Sequence, residues 1–127
     1  MLSTYIWGEP FCKPYTGRRP AAAAKWEADI AEATAAWPLV LGPCKLAVTF
    51  FLPADKYAAP NSMGPDLDNL LKRLLDALKR TVFRPPSDDS FVVELTAAKF
   101  RAGTLADAGV HLHIVAVGDL DLSASPV

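Results

Sequence analysis

The stretch Pro65-Asp66-Leu67-Asp68-Asn69-Leu70-Leu71-Lys72, followed by Ser87-Asp88-Asp89-Ser90, holds the side chains best suited to chemistry. Asp66 and Asp68 fall just before and within the first turn of a leucine-rich segment. Carboxylates there also cap helices and interact well with the helix dipole. Lys72 follows Asp68 by four residues, the spacing of a surface ion pair worth about 0.3 kcal/mol. Capping and surface pairing thus account for these residues locally. Asp88 and Asp89 shift the balance. They lie in the turn entering the next strand, and that strand must pack beside the leucine helix to cover its apolar stripe. Three or four carboxylates are then expected to converge at one end of the domain, where their repulsion would outweigh capping unless a cation joined them. Ligands that are all hard oxygens suit Mg²⁺ or Mn²⁺ rather than zinc. A cation held by few carboxylates keeps positions for water and phosphate oxygens, as phosphoryl transfer requires. Lys72 would then orient a phosphate or offset developing charge.

Other acidic readings fail on detail. An EF-hand loop starting at Asp66 would put Leu70 and Leu71 where an acidic ligand and glycine belong, and Ala77 at its twelfth position. Asp119-Leu120-Asp121 repeats the spacing near the C-terminus, but no helix or second carboxylate pair follows it. His111 and His113 alternate with Val110, Leu112 and Ile114, so both are expected on the sheet face opposite the apolar one. An exposed or interfacial face explains them better than a two-histidine metal site. Lys13, Arg18 and Arg19 share a proline-containing loop with Phe11 and Tyr15, a pattern that fits either phosphate contact with an aromatic wedge or a solvated loop. Arg73, Lys79 and Arg80 lie off the leucine stripe, and Lys99 and Arg101 end a strand.

The elements that must position these residues follow from periodicity. Residues 3–7 read as a short first strand, and residues 8–20, with three prolines and two glycines, as a loop. Trp26, Ile30, Ala33 and Trp37 recur at helical spacing from Ala21, giving a helix of about four turns that Pro38 closes. Residues 45–52 (KLAVTFFL) form the clearest strand. Leu67, Leu70, Leu71, Leu74, Leu75 and Leu78 mark the strongest helix. Residues 91–101 and 110–117 are β-rich runs joined by a short connection, most simply an antiparallel hairpin. The order β-α-β-α-β-β predicts a single small α+β domain over residues 1–117, a mixed sheet with two helices packed on it. Residues 118–127 are expected to be a flexible tail.

Composition bounds the rest. The chain has 127 residues, a hydrophobic fraction of 51% and 21% charged residues, which excludes intrinsic disorder. No apolar run reaches the roughly 18 residues of a membrane span, and residues 1–10 lack the pattern of a secretory signal. Cys12 and Cys44 form no paired motif, so a reducing, cytoplasmic compartment is expected. A net charge of -1 excludes a chain basic all over and leaves only a localised basic face for nucleic acid.

Asp66-Leu67-Asp68-Asn69-Leu70-Leu71-Lys72, Leu75-Asp76-Ala77-Leu78, Phe83, Asp88-Asp89-Ser90 with Val92-Val93, and Lys99 together resemble the RusA family of Holliday junction resolvases. The resemblance implies a homodimeric, Mg²⁺-dependent endodeoxyribonuclease, with Mn²⁺ as a substitute, that makes paired nicks in four-way or branched DNA during recombination and repair. Residue by residue, it implies catalytic and metal-binding roles for Asp66, Asp68 and Asp89 and an essential role for Lys72. Asp88, Asn69 and Asp76 match supporting positions. Lys13, Arg18, Arg19, Lys99 and Arg101 are the expected DNA contacts. Two departures stand out: Arg84-Pro85-Pro86-Ser87 lengthens the link between Phe83 and Asp88, and Asn61-Ser62-Met63-Gly64-Pro65 replaces a segment that often carries Lys or Arg. The competing expectation is a junction-binding protein without cleavage activity.

Overall fold

Every second residue of Cys44–Leu52 is apolar, and the backbone turns that alternation into one buried face: Cys44, Leu46, Val48, Phe50 and Leu52. This strand, β2, is the spine of a four-stranded mixed sheet in the computed structural model, which describes residues 1–13, 15–58 and 62–117. Strand β1 is Leu2–Trp7, β3 is Val92–Arg101 and β4 is Gly109–Ala116, and they lie in the order β1-β4-β2-β3. Strand β4 runs antiparallel to both neighbours, with Leu112 between Thr4 and Val48. Strand β3 runs parallel to β2, with Leu95 level with Leu46 and Lys99 with Phe50.

Helices α1 (Ala21–Thr34) and α2 (Leu67–Leu78) complete the domain. Trp26 and Ile30 of α1 and Leu70, Leu74 and Leu78 of α2 meet the buried sheet face in one core, joined by Val82 and Phe83 beyond α2. The connection after α2 is tied to α1 by polar contacts inside that core. Thr34 Oγ1 donates to the Ile30 carbonyl at 2.8 Å and lies 2.8 Å from Thr81 Oγ1. The Ser87 hydroxyl donates to the Val40 carbonyl. No helix among the described residues is long and apolar enough to cross a membrane.

The expected hairpin between the last two strands does not form, because β2 lies between them. The burial pattern gives the reason. Val110, Leu112 and Ile114 are all buried, as a central strand demands. Strand β3 instead carries Lys99 and Arg101 on its helix-side face and leaves Leu95 45% exposed, which suits a sheet edge. Residues 102–108 cross the end of β2, where the Ala102 amide donates to the Leu52 carbonyl at 2.7 Å.

Among the described residues, no helix covers the second sheet face. Tyr5, Trp7, Phe51 and Phe100 form an aromatic row there, with Tyr5 4.4 Å from Trp7 and 5.9 Å from Phe51 between ring centres. Gly109 makes the row possible, since a Cβ at that position would collide with the Ile6 carbonyl and the Tyr5 ring. His111 and His113 stack on the same face, 6.4 Å apart, with the Ser3 hydroxyl against His111. Their expected orientation holds. Residues 118–127, with the expected tail and the Asp119-Leu120-Asp121 copy, lie outside the described residues.

If the leucines of α2 and the even residues of β2 are one cooperative core, truncation at its centre is costly. Leu74→Ala is expected to lower unfolding free energy by about 2–5 kcal/mol in a urea titration, without changing the slope of the transition.

Candidate active site

Asp66 stands at the N-cap of α2 in extended conformation, yet its carboxylate makes no capping hydrogen bond. Only its backbone carbonyl serves the helix, accepting from the Leu70 amide at 3.2 Å. Asp68 accepts the Asn69 amide at 3.0 Å on Oδ1. The ordinary i, i+4 pair between Asp68 and Lys72 is absent among the described residues, and the Lys72 side chain stands exposed. The local explanation offered by capping and surface pairing is thus mostly unrealised. Two exposed carboxylates and an ammonium sit together at a positively polarised helix end.

The loop leading to Asp66 is held from both sides. Gly64 adopts φ +78°, and a Cβ there would stand 2.8 Å from the Tyr57 ring, so the glycine both permits the turn and makes room for the ring. Lys99 Nζ donates to the Pro65 carbonyl at 2.6 Å. That bond ties the start of α2 to the far end of β3.

Asp88 and Asp89 lie at the opposite end of α2. Asp89 Oδ2 is 3.4 Å from Nζ of Lys79, the residue just after the helix. Twelve helical residues separate the two ends, about 18 Å at 1.5 Å per residue. The convergence expected of Asp66, Asp68 and Asp89 is therefore not made within one chain. The physical reason is strand direction. Because β3 is parallel to β2, the intervening helix runs against both, and the start of the helix and the start of the next strand fall at opposite ends. Among the described residues, no three His, Cys, Asp or Glu side chains form a group able to hold a metal. Asp66 and Asp68 fit a hard cation as oxygen donors, but Asp89 cannot join them inside the same chain. Hydrogen bonding from the Ser90 side chain holds Asp88 below the usual carboxylate range. Asn69 is half-buried at the first turn of α2, and Asp76 is exposed farther along it.

The basic residues divide. Arg19 pairs with Glu27 at 2.5 Å, and Arg80 approaches the same carboxylate at 3.9 Å. The Arg101 guanidinium lies over the Tyr57 ring at 4.8 Å. Arg18 and Lys13 are exposed, and the Lys13 carbonyl accepts from Arg73 at 3.0 Å. Arg73 also lies over Tyr15 at 4.8 Å and Phe11 at 5.8 Å, which fastens the 8–20 loop to α2. Sequence reasoning missed this clamp. An arginine on the polar face of a helix gives no sign of which loop will fold over it.

The same loop, α1 and a 3-10 helix at Ala54–Tyr57 enclose a cavity of about 810 Å³ that reaches Pro65. Cys12 is half-buried in its wall. Burial pushes its thiol up, opposed by Lys56, Lys13 and Arg73 and reinforced by Asp66, so that these charges all surround one spot. Both cysteines are free.

Residues 12–114 match the family model described as Endodeoxyribonuclease RusA. The chain belongs to that family. The matched region begins at Cys12, spans both ends of α2 and closes inside β4. It therefore takes in every residue of the resemblance, from Asp66 to Lys99. No curated protein matches the chain.

The observed bond fastens the Lys99 side chain to the loop that carries Asp66. Lys99→Met is expected to slow DNA cleavage about tenfold to a hundredfold, with junction affinity and its salt dependence nearly unchanged in a binding titration. A lysine that gripped phosphate would instead weaken binding and reduce the salt slope by about 1.

Proposed function

We propose that this RusA-family chain is a Mg²⁺-dependent endodeoxyribonuclease that resolves four-way DNA junctions by paired nicks, acting as a homodimer. The observation that carries this reading is the unused Asp66 carboxylate at the N-terminus of α2, beside Asp68 and Lys72, in a chain of an endodeoxyribonuclease family. The catalytic set is Asp66, Asp68, Lys72 and Asp89, with Asp89 supplied by the partner subunit. Asp66, Asp68 and the partner's Asp89 would hold the cation, whose chemistry is activation of water and stabilisation of charge on the scissile phosphate. Lys72 holds a non-bridging phosphate oxygen, and the amide dipoles of α2 favour the anion at that end.

The edge of the sheet supports the assembly. Ten-residue β3 is an edge strand, and long uncovered edges are normally paired or blunted. Leu71 and Leu75 of α2 are only half-buried, and Leu95 on the same side of β3 is 45% exposed. A two-fold axis beside β3 would pair the two edges antiparallel and cover these leucines. It would also bring the start of one β3, with its Asp89, against the end of the other, where Lys99 holds the Asp66 loop. Each four-way junction has matching symmetry, so two sites on one dimer account for two nicks.

Incubation of a synthetic four-way junction with wild type and Asp68→Asn, with and without Mg²⁺, tests the activity. Paired nicks by wild type in Mg²⁺ are expected, with at least about a thousandfold loss in the variant and retained junction binding. Binding without nicking in any divalent metal would favour the junction-binding alternative.

A further inference from the structure

The cavity beside Asp66 is not used by the nuclease chemistry just described. Pro65, the residue before Asp66, lines it together with Phe11 and Lys13, Trp26 and Ala22 of α1, and Lys56. The volume of about 810 Å³ lies within the roughly 300–1,000 Å³ range of small-ligand sites. It is large enough for one or two nucleotides and too small for a duplex. The lining is mixed in the manner of a nucleotide site, with two aromatic side chains and three lysines against Glu9 and Asp55. Lys56 is paired to Glu9 at 2.9 Å and Lys25 to Asp29 at 3.0 Å, while Lys13 has no ion-pair partner among the described residues. The Arg73 clamp braces Phe11 and the Lys13 backbone, so this part of the lining is fastened to α2.

Continuity with Asp66 selects the occupant. Pro65 lines the cavity and is covalently next to Asp66, and Cys12 in the same wall senses the Asp66 charge. Whatever enters is therefore within reach of the phosphodiester held at Asp66 and Lys72. We propose that the cavity receives one unstacked nucleotide of the DNA strand flanking the scissile phosphate, its base against Phe11 and its phosphate toward Lys13 and Lys56. At a branch point such a nucleotide has the weakest stacking to lose. Base-sized selection in this cavity makes the chain discriminate between cut sites on otherwise equivalent junctions. The inference rests on the proposed cleavage at Asp66.

Two readouts test it with the full chain. In EDTA, four-way junctions carrying 5-iododeoxyuridine at single positions around the branch are bound and irradiated, and the crosslinked peptides are mapped. One position is expected to crosslink to Phe11. The double variant Ala22→Leu/Ala106→Leu, which narrows the cavity from two exposed positions, is expected to weaken that crosslink markedly while binding the junction as wild type does. In Mg²⁺, wild type is expected to favour particular bases next to its nicks in a junction library randomised at the branch. The narrowed variant should reduce that preference about tenfold with total nicking within about threefold of wild type. Crosslinks mapping only elsewhere, or a crosslink unaffected by narrowing the cavity, would overturn the proposal. An equal base preference in both proteins would overturn it as well. Failure of wild type to nick any junction would refute the nuclease reading instead, and the EDTA crosslink would still decide whether a nucleotide enters.

Discussion

The structure depends on how the leucine stripe of α2 is covered. Leu70, Leu74 and Leu78 are fully buried, and the surface they require is the face of β2 with β3 beside it. A helix linking two parallel strands can cover them only by running back along the sheet. That single requirement fixes where the chemistry stands. It puts Asp66, Asp68 and Lys72 at the end of the sheet where β2 and β3 finish, and Asp88 and Asp89 at the end where β3 begins. Lys99 reaches Pro65 for the same reason, being near the end of β3.

Much of this was legible in the amino-acid sequence. Residues 67–78 and 45–52 carry unambiguous 3.6- and 2-residue periods, and both elements form at those positions within a residue. The alternation that turned His111 and His113 away from the core was equally plain. Strand pairing was not. The runs at 92–101 and 109–116 are adjacent in the chain, and the hairpin reading rests on that adjacency alone. The difference in their inner faces was present in the residue types, since β3 carries Lys99 and Arg101 there while β4 carries the buried Val110, Leu112 and Ile114. The separation of the carboxylates was illegible for a reason of its own, the parallel direction of β3 beside β2. Spacing along the chain tells which residues flank a helix, but not that a parallel crossover holds the two flanks apart. The Arg73 clamp and the cavity were illegible for another reason: both depend on how a proline-containing loop folds over a helix, which no period encodes.

The charge balance also takes on a spatial meaning. Fourteen acidic residues less Asp66, Asp68, Asp88 and Asp89 leave ten, against thirteen basic. Glu27 and Asp29 of α1 pair with Arg19 and Lys25, which cancels equal numbers of each sign and leaves the excess of three basic residues unchanged. A chain that reads as nearly neutral is a mildly basic domain that carries four of its fourteen acidic residues at the two ends of one helix. Two such helices running antiparallel would put the acidic end groups together in pairs, where a divalent cation turns repulsion into a binding site.

Mixing two inactive variants tests that arrangement most directly. Asp66→Asn and Asp89→Asn proteins, each unable to nick a four-way junction alone, are combined under conditions that exchange subunits. If Asp89 of one subunit completes the site of the other, each mixed dimer contains one site with all its carboxylates and one with neither Asp66 nor Asp89. Random reassortment then restores nicking to about a quarter of the wild-type rate. If each chain holds its own complete site, every site in the mixture lacks a carboxylate. No recovery, with subunit exchange verified, would contradict the account.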